Sequence, residues 1–182
     1  MQMSRLPDPV STLNRKGLEV SEHLKESRGY IDDMYRTLLY HPALTEHVSR
    51  LGEYLRFEGT LPGDVREVAI LTTARHLKAS YEWVKHIEPA KTAGVNEAVI
   101  ELIRKGENLN SISPVYAGVQ KVVISALNRK EISLDLQEYM QKEFGIKGVI
   151  ELVVLCGFYG MVASVVSAFD VPVPAYESEI AF

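Results

Sequence analysis

The stretch from Leu152 to Phe169 runs for 18 residues without a charged side chain. No other feature constrains the fold as much, because such a run has to be hidden from water. Its length meets that of a membrane-spanning helix. Gly157, Gly160, Ser164 and Ser167 dilute its hydrophobicity, however, and no cluster of Lys or Arg flanks it. We read it as a helix buried on all sides, in a bundle or at a subunit interface. Small residues there let neighbouring helices approach closely.

The rest of the chain supplies helices to cover it. Ile31, Met34, Tyr35, Leu38 and Leu39 predict a helix over Arg28–Tyr40, ended by His41-Pro42. Leu44, Val48, Leu51, Tyr54 and Leu55 predict a second over Ala43–Phe57, followed by a break at Glu58-Gly59-Thr60. The third spans Leu61–Leu77, capped at Thr60 or Leu61, with Pro62 and Asp64 in its first turn. Ser80 as cap opens a fourth through Ala93, stopped by Gly94. Asn96 opens a fifth through Lys105, and Ser113-Pro114 opens a sixth through about Asn128. Ser133 with Asp135 starts a seventh ending at Gly145, and Gly148–Phe169 is the eighth.

No stretch alternates as a strand would, and Val171-Pro-Val-Pro is too rich in proline for a central strand. The expectation is an all-α domain of about eight helices over residues 28–170. Residues 1–27 form an irregular arm with room for one helix. Residues 171–182 form a tail extended over the surface or onto a neighbouring subunit.

Charge and cysteine usage narrow the function. The net charge of −4, with basic residues scattered, argues against nucleic acid and against a polybasic membrane segment. A single cysteine, Cys156, excludes an intrachain disulfide framework and a Cys-x-x-Cys redox pair. The first residues, MQMSRLPDPV, lack the apolar core of a signal peptide, so a cytoplasmic location is expected. No glycine-rich phosphate loop and no Gly-x-Ser-x-Gly elbow occurs. His23, His41 and His47 do not have metal-ligand spacing, and neither metal nor cofactor is expected.

The chemistry concentrates between Glu67 and His86. Val65, Val68, Ala69, Ile70, Leu71, Ala74 and Leu77 cover most of the third helix, so Glu67 sits in an apolar surround. A buried carboxylate needs a partner or a raised pKa. Glu82 and His86 are one helical turn apart and share a face. Two carboxylates and an imidazole around one pocket would equip general acid–base catalysis. Glu82 and His86 equally suit an exposed surface pair, and Glu67 equally suits a structural pairing with Arg66, Arg75 or another arginine. The segment Glu67-Val-Ala-Ile-Leu71 is echoed by Glu151-Leu-Val-Val-Leu155, but the second copy has no equivalent of Glu82 and His86.

These residues resemble the carboxymuconolactone decarboxylase family, which includes the alkylhydroperoxidase-D type proteins. The specific part is Leu61 to Val95, with Arg66-Glu67-Val-Ala-Ile-Leu71, Tyr81-Glu82-Trp83, His86 and Ala93-Gly94-Val95. His41-Pro42-Ala43-Leu44, Glu151-Leu-Val-Val-Leu155 and Gly157-Phe-Tyr159 add support, so the likeness covers roughly residues 35–170. It implies an alkylhydroperoxidase-D-like helical fold assembled as a homo-oligomer, a trimer, hexamer or related form.

In the peroxidase branch, a glutamate precedes a Cys-x-x-Cys pair, and a histidine follows it. Here Glu67 and His86 match, but Ala79 and Glu82 stand at the cysteine positions. Peroxide reduction there needs both thiols. The Tyr-Glu-Trp-x-x-His form resembles the decarboxylase-like branch instead. That branch implies cofactor-free loss of carbon dioxide from a small unsaturated lactone acid. The protein then has to stabilise the developing negative charge and protonate a carbon. His86 is the candidate proton donor. Glu82 would orient it or act as a second acid–base group, and Glu67 would set its charge and tautomer. Arg75, eight residues beyond Glu67, is the candidate to hold a substrate carboxylate. Trp83 and Tyr159 are candidate substrate contacts, with core packing the plainer role for both.

Overall fold

The computed structural model describes residues 4–173 of the chain. Among them every regular element is helical. The helices are α1 Arg15–Arg28, α2 Asp33–Leu38, α3 Pro42–Glu53, α4 Gly63–Leu77, α5 Ser80–Thr92, α6 Glu97–Lys105, α7 Pro114–Leu127 and α8 Leu134–Ala168. The fold class expected from the sequence is the one observed. The proline-rich tail from residue 174 onward lies outside the described residues.

Local chemistry sets most helix ends. Asn96 and Ser113 accept hydrogen bonds from the Ala98 and Tyr116 amides and cap α6 and α7. Gly106 ends α6 in the left-handed region at φ 74°, where a side chain would be strained. Two expected caps differ. Ala79 rather than Ser80 is the N-cap of α5, and Pro62 is the N-cap of α4, neither with a side-chain capping bond. At the end of the α4–α5 connection, the Ala79 amide donates to the Ala74 carbonyl at 2.8 Å, and this tight link replaces the cap. The expected seventh and eighth helices meet within α8 at Gly145, whose φ of 68° and ψ of 171° break the helical path.

Two compact units are distinguished among the described residues: 4–58 with 164–172, and 59–163 with 173. The first holds α1 to α3. Its core includes Val20, Leu24, Met34, Tyr35, Leu39 and Val48. The Arg28 guanidinium lies 4.9 Å over the Tyr35 ring and donates to the Ser49 carbonyl. The expected irregular arm is thus mostly a 14-residue helix, α1, capped by Asn14. Its apolar residues are few, and Val20 and Leu24, one turn apart, bury.

The second unit is built around α4, which packs against α5, α6 and α7. Val68, Ala69, Ile70 and Leu71 are all fully enclosed, so α4 is covered on every side over that turn. The buried side of α8 carries Leu152, Leu155, Cys156, Phe158, Tyr159 and Val162. Its other side leaves Ile146, Ile150, Val153, Val154 and Met161 exposed. The expectation of a helix buried on all sides is therefore corrected for the single chain: one face of α8 is covered and one is not.

Candidate active site

Glu67 lies on the second turn of α4, held among apolar neighbours and 3% exposed. Burying a carboxylate there is costly unless it is paired. The partner comes from α5: His86 Nδ1 lies 2.8 Å from Glu67 Oε2. Arg66 Nε stands 3.7 Å from the other oxygen, Oε1, an ion pair beyond hydrogen-bond reach. Glu67 thus meets an imidazole and a guanidinium, with only 4% of its side chain exposed to solvent.

The antiparallel return from α4 to α5 brings these groups together. Two residues, Lys78 and Ala79, separate α4 from α5, with Lys78 in the left-handed region at φ 54° closing α4. The chain then runs back along α4. Tyr81, Glu82, Trp83, His86, Ile87 and Ala90 form the buried side of α5. Glu82 is 3% exposed and His86 6% exposed, so neither belongs to a solvated surface pair. Their one-turn spacing places both on the side of α5 that faces inward.

The remaining expected residues divide. The Tyr159 ring, from α8, meets the His86 ring edge-on, with centroids 5.0 Å apart and planes at 87°. It forms a wall against the imidazole and is itself stacked edge-on by Phe158. Trp83 is fully enclosed at 0% exposure and acts as a core side chain. Arg75 was expected near the face of Glu67. It lies instead in the last turn of α4, where its Nε donates to the Arg104 carbonyl at 2.6 Å. Eight residues advance a helix by about 12 Å and turn it about 80° past a whole number of turns, which carries Arg75 away from Glu67. The carbonyl end of α6 then attracts the guanidinium.

Two further groups fill roles the sequence left open. Glu151, the echo of Glu67, is a structural anchor. Its carboxylate accepts from the Thr60 amide at 2.8 Å, the Thr60 hydroxyl at 2.9 Å and the Leu61 amide at 3.2 Å. It therefore fixes the loop that starts α4. Cys156 is buried and donates to the Leu152 carbonyl at 3.0 Å. Burial pushes its thiol up to about 12, far from thiolate chemistry at neutral pH.

The arrangement can hold and move a proton. An ionised Glu67 carboxylate would accept the Nδ1 hydrogen of His86, which leaves Nε2 as the acceptor nitrogen of the ring. Glu82 adds a second buried carboxyl group one turn away. Among the described residues, no group of three His, Cys, Asp or Glu side chains is placed to hold a metal ion.

The fold is that of several solved structures. The chain is similar to an uncharacterised peroxidase-related protein from Ralstonia eutropha JMP134 described as an alkylhydroperoxidase AhpD core. The two superpose with a TM-score of 0.79 at 14% identity, over 98% of this chain and 96% of that one. A peroxidase-related protein from Silicibacter sp. TM1040 gives a TM-score of 0.74 at 17% identity, over 98% and 95%. The debrominase Bmp8, in complex with 2,3,4-tribromopyrrole, gives a TM-score of 0.70 at 11% identity, over 98% and 95%. No known family's sequence pattern matches the chain, and no curated protein matches it in sequence. At these identities the likeness establishes the alkylhydroperoxidase-D-like fold.

Proposed function

We propose that the chain is a carboxymuconolactone decarboxylase-like enzyme. It would carry out cofactor-free acid–base chemistry, a decarboxylation or related proton transfer, on a small carboxylated or lactone-like molecule. The observation that carries this reading is the buried 2.8 Å contact between His86 Nδ1 and Glu67 Oε2, with Glu82 one turn away on the same side of α5. His86 delivers or removes the proton through Nε2, Glu67 holds its tautomer, and Glu82 is the second acid–base group. Tyr159 bounds the site. That the debrominase neighbour is described with a small unsaturated ring fits the scale of substrate envisaged.

The peroxidase reading suggested by the names of two neighbours finds no thiols to work with. Ala79 and Glu82 occupy the positions of the redox pair, and the buried Cys156 keeps its proton. We further propose that the exposed apolar face of α8 packs against another copy of the chain. Ile146, Ile150, Val153, Val154 and Met161 recur on it at helical spacing, an arrangement that favours burial.

The test is carbon dioxide release from carboxymuconolactone, comparing the wild type with His86→Ala and Glu82→Gln. Release by the wild type alone supports the assignment. Equal release by the folded variants overturns the residue roles. No release from any form removes this substrate and turns the search to other unsaturated acids and lactones.

A further inference from the structure

A cavity of about 320 Å³ opens between α4, α6 and α7. Thr72, Arg75 and His76 line it from α4, Ile103, Lys105 and Gly106 from the end of α6, and Gln120 and Ile124 from α7. This lining is separate from Glu67, Glu82 and His86. We propose that the cavity is a second ligand site, taking a small molecule with a compact oxyanionic head, a carboxylate or a phosphate.

Three observations carry the proposal. Thr72 is 4% exposed, and its hydroxyl makes no hydrogen bond within the protein. A threonine inside a helix ordinarily turns its hydroxyl back to the preceding turn, as the adjacent Thr73 does to the Ala69 carbonyl at 2.8 Å. A buried hydroxyl lining a cavity without such a bond is a donor awaiting an acceptor.

The charge of the walls selects the sign of that acceptor. Arg75 and Lys105 both line the cavity. Glu101, outside the lining, pairs with Lys105 at 3.4 Å and more closely with Arg104 at 2.7 Å. Among the described lining residues there are two cationic side chains and no acidic one, which favours an anion.

The walls are also held in place. The Arg75 guanidinium is anchored through Nε on the Arg104 carbonyl. Gly106 lies beside it: a Cβ there would make an ordinary contact, 3.5 Å from an Arg75 nitrogen. Gln120 uses its amide oxygen on the Leu109 amide and its nitrogen on the Glu107 carbonyl, fixing the loop beyond α6. Ile103 and Ile124 offer apolar surface to the body of a ligand. The volume lies at the small end of the range for ligand sites.

The test is a two-dimensional amide NMR titration of the full chain with butanoate and, separately, with inorganic phosphate at constant ionic strength. Saturable shifts are expected at Thr72, Gly106 and Gln120. Saturation with butanoate alone identifies a carboxylate site, and with phosphate alone a phosphate site. Lys105→Met and Thr72→Val should each weaken binding at least fivefold. Thr72→Val should be no less stable than the wild type, since it loses no hydrogen bond. Absence of saturable shifts with both probes overturns the proposal, as does unchanged affinity in both variants.

Discussion

His86 Nδ1 and Glu67 Oε2 meet at 2.8 Å across the α4–α5 pair, both nearly sealed from solvent. With Glu67 ionised, its carboxylate accepts at this contact, which favours the imidazole tautomer that carries its proton on Nδ1. Replacing Glu67 with Gln removes that preference while keeping the shape. The expected outcome is loss of the fixed tautomer, read from the His86 ring nitrogen shifts, and a fall in turnover of about 10²–10⁴.

Removing the imidazole has a separate effect on stability. His86→Ala leaves Glu67 buried without its 2.8 Å partner, while Arg66 stands farther off at 3.7 Å. Breaking a buried pair in this way costs about 3–5 kcal/mol. Denaturant unfolding should show the loss, and Glu67→Gln added to His86→Ala should recover part of it.

Cys156 gives a pH dependence with a defined sign. Its thiol is raised from 9.0 to about 12 in the folded chain, because burial penalises the thiolate. The unfolded chain therefore releases this proton first as pH rises. The stability involved is fully present below pH 9.0 and is lost between there and about pH 12. The slope approaches about 1.4 kcal/mol per pH unit. Comparing the wild type with Cys156→Ala across this range isolates it: the alanine variant keeps a constant offset and loses the slope. The same thiol should react slowly with alkylating reagents at neutral pH.

Glu151 ties down the start of α4 through three donors. Glu151→Ala should cost about 2–4 kcal/mol, since hydrogen bonds to a charged group are worth about 1.5–3 each and water replaces part of them. Gly59→Ala should destabilise as well, because a Cβ at that position runs into the Glu151 carboxylate. The two changes share one contact, so the second should cost less in the presence of the first, which a double-mutant cycle measures.

The exposed face of α8 gives the last prediction. Ile150→Lys, at 58% exposure in the single chain, should leave the fold intact and disperse the proposed assembly. Light scattering with size-exclusion chromatography reads the change. An unchanged mass would remove this face as the interface.

Much of this protein was legible in its sequence. The all-α class, the caps Asn96, Ser113 and Gly106, and the break at Gly145 follow from short-range rules, in which each residue acts on its own turn. The candidacy of Glu67, Glu82 and His86 was also readable, because a carboxylate in an apolar run and a one-turn Glu–His spacing are local patterns. Tertiary structure decided what those patterns mean. Glu67 and Glu151 share a sequence context, yet one faces an imidazole and the other a loop, since the return of the chain selects the partner. Arg75 was expected beside Glu67 and is held by the carbonyl end of α6, an element nearly thirty residues away in sequence. The cavity containing Thr72 could not be read at all, because a hydroxyl without a partner exists only once every neighbour has its place. Sequence determines what each turn can do; the partner of a buried charge depends on which helices pack together.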